Sequence, residues 1–278
     1  MSYGWPVKPF DEQHAVRGFF CDPRVGDEGG KAFHFGIDVS APDGTAVYAV
    51  AGGKVHSEGT QNIAVVMAGG NRSHGYWHIV PKVRHGQRVA KHALVGHVAK
   101  TWGHVHFAER IDGRYWNPLR AGALAPFRDF GAPVVDRIVA ERGGRVLDPR
   151  AVTGVVNLIA VAHDIPPISA PPPWRGLPVT PALVRWRLVR NARAVIPWRV
   201  AADFRSTLLE GSRFSAIYAG GTRQNHPNAR GRYRFWLARG WDTRRHRDGS
   251  YRLDVEAADI RGNASREQLE LVLVNHQV

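Results

Sequence analysis

Between residues 32 and 119 the chain is a succession of short, mainly apolar or mixed apolar and polar runs at close intervals: TAVYAVA, GKVHSE, IAVVMA, GYWHIV, QRVA and HVHFAER. Strand-like runs this short and closely spaced, punctuated by glycine and proline, predict an antiparallel all-β domain with a groove on one sheet face. A second series follows: APVVDRIVAE, GVVNLIAVAHD, ALVRWRLV, a central insertion, RYRFWLARGWD, SYRLDVEAAD and QLELVLVN. It reads as a seven-strand-like β-sandwich. The break between the two series lies in ALAPFRDFGAP, so the expected domains are 1–125, with a core at about 30–119, and 126–278. PPISAPPPWRGLPVTP, residues 166–181, has the composition of a linker. Strand-like segments of one type on both sides make it instead a long inter-strand loop. Near the start, WPVKPF fits either a strand packed on the first domain or a surface arm, and VGDEGGK reads as a loop.

Candidate chemistry sits on these elements. In TWGHVHFAER, a strand aims His104 and His106 to one face while Val105 points to the other. In FHFGIDVSAPDG, His34 and Asp38 lie four residues apart; Gly36 and the APDG turn argue against a helix, and a straight strand would part the two by about 13 Å. The chain is therefore expected to bend there, and Gly36 makes a bend cheap. His34, Asp38 and one histidine of the 104/106 pair then form a nitrogen, nitrogen, oxygen ligand set. Three protein ligands plus a water is the pattern of catalytic zinc, and the set also suits cobalt, manganese or iron. Cys21, the single cysteine, takes no part. A third segment, SHGYWHIVPKV, reads as a continuous strand that places His78 across the groove from His104, with His74 close by.

HFGID, YWHI, HGQRV and HVHF, in this order, resemble the motifs of the lysostaphin and LytM type zinc endopeptidases of bacterial peptidoglycan, over about residues 30–119. The resemblance implies that His34, Asp38 and His106 bind one Zn2+ and that His78 and His104 serve catalysis. It also implies hydrolysis of peptide bonds in peptidoglycan stems or cross-bridges by a metal-activated water, and an extracellular or cell-envelope location. The approach to the last motif, KHALVGHVAKTWGHVHF, has fewer glycines than the family pattern and an added tryptophan, Trp102. The groove walls thus differ from the family's, and the bond cleaved stays open. YRLDVEAADIRGNASREQLELVLVN resembles the last strands of immunoglobulin-like or fibronectin-like accessory domains. The expected fold class is all-β: an antiparallel metallopeptidase domain followed by an immunoglobulin/fibronectin-like sandwich.

Charge is divided unevenly. Of the net +14, residues 1–125 carry +4 and the remainder +10, whereas ten of the 14 histidines precede residue 125. VRWRLVRNARAVIPWRV and RGRYRFWLARGWDTRRHR interleave arginines with aromatics, a pattern compatible with nucleic acid or with anionic wall polymers. Their strand-like alternation favours one solvated and one core face, so nucleic acid is disfavoured as a partner. The first 20 residues lack the pattern of a signal peptide, and no apolar run reaches the length of a membrane helix. Three other readings remain open: a non-catalytic wall-binding or regulatory protein on the same scaffold, a metallopeptidase acting on proteins, and a basic module that carries nucleic acid and retains an old site.

Overall fold

The computed structural model describes residues 2–26, 30–56 and 63–276. The middle of VGDEGGK, residues 27–29, and the end of GKVHSE, residues 57 and 58, lie outside the described residues. The strands up to residue 116 are β1 (Val16–Gly18), β2 (Pro23–Val25), β3 (Lys31–Phe33), β4 (Ile37–Ser40), β5 (Ala46–Tyr48), β6 (Gly53–His56), β7 (Ile63–Gly69), β8 (Arg72–Trp77), β9 (Ile79–Pro81), β10 (Arg88–Val89), β11 (Leu94–Val98), β12 (His104–Ile111) and β13 (Arg114–Trp116). The main sheet runs β1-β4-β12-β8-β7-β6-β10, with β13 folded back on the end of β12. A smaller sheet is ordered β5-β11-β9. The pairings are antiparallel throughout.

Alternation sorts the side chains of the main sheet as the sequence pattern requires. Ile37, Val39, Val66, Tyr76, Val105 and Phe107 are buried on the core side, while His104, His106 and Trp77 line the opposite, hollow face. Two expectations change. GYWHIV is not one strand: the backbone reverses hand at His78 (φ +64°), and the chain passes there from β8 in the main sheet to β9 in the smaller one. WPVKPF forms neither strand nor surface arm but a series of bends, with Trp5 and Val7 buried and the Trp5 indole donating to the carbonyl of Pro126 at 2.9 Å.

The second half contains β14 (Val134–Arg142), β15 (Arg145–Val146), β16 (Val155–His163), β17 (Leu183–Arg190), β18 (Arg193–Asp203), the short helix α1 (Phe214–Ile217), β19 (Arg234–Asp242), β20 (Gly249–Ala258) and β21 (Ala264–Leu273). They make two four-stranded antiparallel sheets, β15-β14-β16-β19 and β18-β17-β20-β21. β14 lies against β20 and β21, and β19 against β17 and β18, so the sheets pack face to face. Part of the stretch read as an insertion is in fact strand β18. It tolerates Pro197 because it is an edge strand, where a missing N–H can face outward. Residues 166–181 connect β16 to β17 without forming a strand.

The arginine and aromatic interleaving has a structural explanation. On the outer face of the second sheet, Glu256 accepts from Arg185 and Arg266 at 2.6 Å each, and Asp254 accepts from Arg187 at 2.8 Å and Arg252 at 2.7 Å. Trp198 lies across the guanidinium groups of Arg185, Arg187 and Arg266. Two carboxylates shared by these four guanidinium groups halve the local positive charge and weaken the field that would attract a polyanion.

Candidate metal centre

β12 is paired on one side with β4 and on the other with β8, and its register sets His106 opposite both Asp38 and Trp77. His34 arrives by a different route. β3 ends at Phe33, the chain bends at Gly36, and β4 starts at Ile37, so the side chains of residues 34 and 38 converge as the motif spacing demanded. Gly36 is there for a further reason than the bend. A Cβ on it would lie 2.4 Å from the carbonyl oxygen of Phe107 and 2.7 Å from His106 Nε2, so only glycine lets the two strands close around the site.

His34 Nε2, His106 Nδ1 and Asp38 Oδ1 converge within 4.8 Å, the single such group of three among the described residues. Nε2 of His34 is 2.8 Å from Nδ1 of His106, and each lies 3.1 Å from Asp38 Oδ1. The Nδ1–H of His34 donates to the carbonyl of Phe19 at 2.8 Å, which leaves its Nε2 with a free lone pair aimed at the cluster. Burial, with Arg24 adding to it, lowers the His34 pKa, and burial pushes His106 down to about 4, so both rings are neutral near pH 7. Burial by itself would raise the Asp38 carboxyl, but the imidazoles around it and the Arg24 guanidinium hold it well below the usual carboxylate range. Two imidazole lone pairs and a carboxylate oxygen packed this closely fit a divalent cation, and a tetrahedral zinc ion would separate them only slightly further, to about 3.3 Å. The second Asp38 oxygen is fixed by Arg24 at 2.7 Å.

The two remaining predicted residues lie beside this cluster. His104 Nε2 is 3.3 Å from Asp38 Oδ1, and the rings of His78 and His104 are 4.8 Å apart. Trp102 stacks on His78 at 3.6 Å with 13° between the planes, so the added tryptophan of the sequence becomes the support of a site histidine. Burial first, and then the charges of His104 and His106, push His78 down to about 3. His74 does not join them. It lies on the core side of β8, against Tyr3 and Phe107, where burial pushes it down to about 4.

All five residues border one cleft of about 450 Å3. A second hollow of about 610 Å3 continues along the same sheet face and shares Trp77 with the first, giving an extended trough. The sequence reading did not find Arg17, Arg24 or Trp174, which also line the cleft. No motif marks them, and Trp174 reaches the site from the proline-rich loop of the second half.

No curated protein matches this chain. Among solved structures, a zinc-containing peptidase from Vibrio cholerae is 22% identical with a TM-score of 0.37; the match covers 44% of this chain and only 41% of that one. A catalytic-domain variant of the prophage-encoded M23 protein EnpA from Enterococcus faecalis is 24% identical over 42% of this chain and 98% of its own, with a TM-score of 0.33. The deep-sea M23 metalloprotease pseudoalterin is 16% identical over 53% of this chain and 94% of its own, with a TM-score of 0.34. Residues 32–118 match the model of peptidase family M23, and that M23 peptidase domain contains all five clustered residues.

Proposed function

We propose that the protein is a zinc metalloendopeptidase that hydrolyses peptide bonds in peptidoglycan stems or cross-bridges, at the cell envelope or outside the cell. Residues 1–125 would form the peptidase domain and residues 126–278 an immunoglobulin-like accessory domain. The observation that carries the reading is the convergence of His34, Asp38 and His106 beside His78 and His104 at the floor of an open trough. His34 Nε2, His106 Nδ1 and Asp38 Oδ1 are the metal-holding atoms. Zinc bound there would lower the pKa of a water to about 7 and polarise the scissile carbonyl.

The work of the chain's own residues follows from their placement. His78 and His104 flank the cluster on the open side, where they hydrogen-bond the attacking water, move its proton to the leaving amine and steady the tetrahedral oxyanion. Trp102 keeps the His78 ring in one plane. The trough continues from the cluster past Trp77 into the second hollow, which suits an extended peptide. Mass spectrometry of fragments released from purified bacterial walls tests this, comparing the zinc-loaded protein with His106→Ala and with a chelated control. New amino termini released by the loaded wild type alone support the reading and name the bond. No release from any wall by zinc-loaded protein overturns it in favour of a binding or regulatory role.

A further inference from the structure

Arg17, on the edge strand β1, is a half-buried guanidinium that lines the cleft. Its Nη2 donates to the carbonyl of Trp102 at 3.0 Å and lies 2.7 Å from His104 Nδ1. Its plane is covered by the indole of Trp174 at 4.3 Å. Arg24, its neighbour in the same cleft, is paired with Asp38. Among the described residues no carboxylate lies within ion-pair distance of Arg17. The carboxylate whose charge reaches Arg17, that of Asp38, is already paired with Arg24, and a partly desolvated guanidinium left to share it is costly unless a ligand supplies a further anion.

The shelf that fixes it is built by the second half of the chain. Trp174 sits in the loop 166–181, and that loop is tied at several points. The Trp174 amide donates to Pro171 at 3.0 Å, Asn228 donates to the carbonyl of Pro173 at 3.0 Å, and Thr180 donates to Asp22 at 2.8 Å. Asp22 itself belongs to the first half, so the loop is locked onto the domain whose cleft it walls. Arg17 contacts the Nδ1 side of His104, whereas the Nε2 side faces Asp38. The guanidinium is thus one imidazole width away from the metal-holding atoms, too far to meet the oxyanion at the scissile carbonyl and well placed to meet a group further along the substrate.

We propose that Arg17, on its Trp174 shelf, is a subsite for a substrate carboxylate next to the scissile bond, so that the second half of the chain helps to set specificity. A planar guanidinium matches a carboxylate with two parallel hydrogen bonds, and stacking on an indole restricts it to that plane. The class of substrate is a peptide bearing a free side-chain or terminal carboxylate beside the cleaved bond. The cleavage part of this inference rests on the peptidase reading above; the binding part does not.

The test uses two synthetic stem-peptide dimers that differ only in whether the carboxylate beside the cross-link is free or a carboxamide. Calorimetric titration of the zinc-loaded full chain gives their affinities, and mass spectrometry follows cleavage in parallel. The free acid is expected to bind about tenfold or more tightly than the amide. Arg17→Gln is expected to abolish that preference while leaving amide binding within about twofold and zinc content unchanged; Arg17→Lys and Trp174→Ala are expected to keep part of it. Should Arg17→Gln fail to fold, these last two variants decide the matter. No preference in the wild type, binding of neither dimer, or an equal loss for both dimers in the Arg17 variants overturns the subsite. Preference without cleavage keeps the subsite and overturns the peptidase, and cleavage without preference does the reverse.

Discussion

Gly36 concentrates the constraint on the site into one missing methyl group. A Cβ at this position would press on the Phe107 carbonyl and on His106 Nε2, and both belong to the strand that delivers two of the clustered histidines. Gly36→Ala is therefore expected to cost about 1–3 kcal/mol, as overpacking does, and to lower bound zinc well below one ion per chain, read by urea unfolding and by elemental analysis. His106→Ala separates the two effects: it should empty the site of zinc while leaving the apo protein folded, because it relieves rather than creates crowding. Retention of stoichiometric zinc by His106→Ala would sink the ligand assignment. At this scale the sequence was informative where chemistry is carried by short spacings. The bend between His34 and Asp38 and the shared face of His104 and His106 both follow from backbone periodicity. Arg17, Arg24 and Trp174 were invisible because their roles come from contacts between distant segments, while His74, close to His78 in sequence, lies on the core face of β8.

Elements were legible wherever alternation was sustained, and failed where one residue changes sheets or where burial is irregular. β12 illustrates the first case, with Glu109 as its buried anchor. This carboxylate is fully inaccessible, accepts from Tyr3 at 2.9 Å and Arg120 at 2.5 Å, and lies 3.3 Å from Arg72. Glu109→Ala leaves two guanidinium groups facing a void and should cost about 3–5 kcal/mol in chemical unfolding; a loss under about 1 kcal/mol would mean that the cluster is not carrying β12. At the end of β16, Asp164 offers a pH test. Burial, reinforced by Asp129, Asp259 and Asp22, pushes its carboxyl up to about 8, while its amide pairs with the carbonyl of Val179. Between about pH 4 and 8 the folded state holds a proton that the unfolded state has lost, so this group's contribution to stability falls as pH rises through that window. Asp164→Asn should therefore raise the melting temperature at pH 9 by several degrees and change it little at pH 4, and equal effects at both values would refute the shift. The strand β18 and the break at His78 escaped the sequence reading for opposite reasons. A proline disguised an edge strand, and an unbroken apolar pattern concealed a change of sheet.

At the scale of the whole molecule, composition and alternation indicated two successive β series, but not how firmly they are joined. Phe33 at the end of β3 packs against Phe204, Phe214 and Tyr218 from the second series. Tyr218 donates to the carbonyl of Cys21 at 2.9 Å, Asn117 donates to the carbonyl of Phe204 at 2.9 Å, and the amide of Leu208 donates to the carbonyl of Tyr115 at 2.9 Å. Most buried apolar residues of both series belong to one continuous cluster, and Val139, Ile159 and Ala219 form a small separate one. Such an interface resembles a core more than a contact between tethered modules, for which relative motion would be the default. Calorimetry of the full chain is accordingly expected to show one unfolding transition whose van't Hoff and calorimetric enthalpies agree. Two resolved transitions would mean that the halves are thermodynamically independent and that the shelf under Arg17 is free to leave the cleft. Addition of zinc discriminates further, since a ligand bound only by the folded state raises the melting temperature of every part coupled to it. If the coupling is as tight as these contacts require, zinc held by His34, Asp38 and His106 will delay the melting of β14 to β21 as well, measurable as slowed amide exchange in strands that never touch the ion.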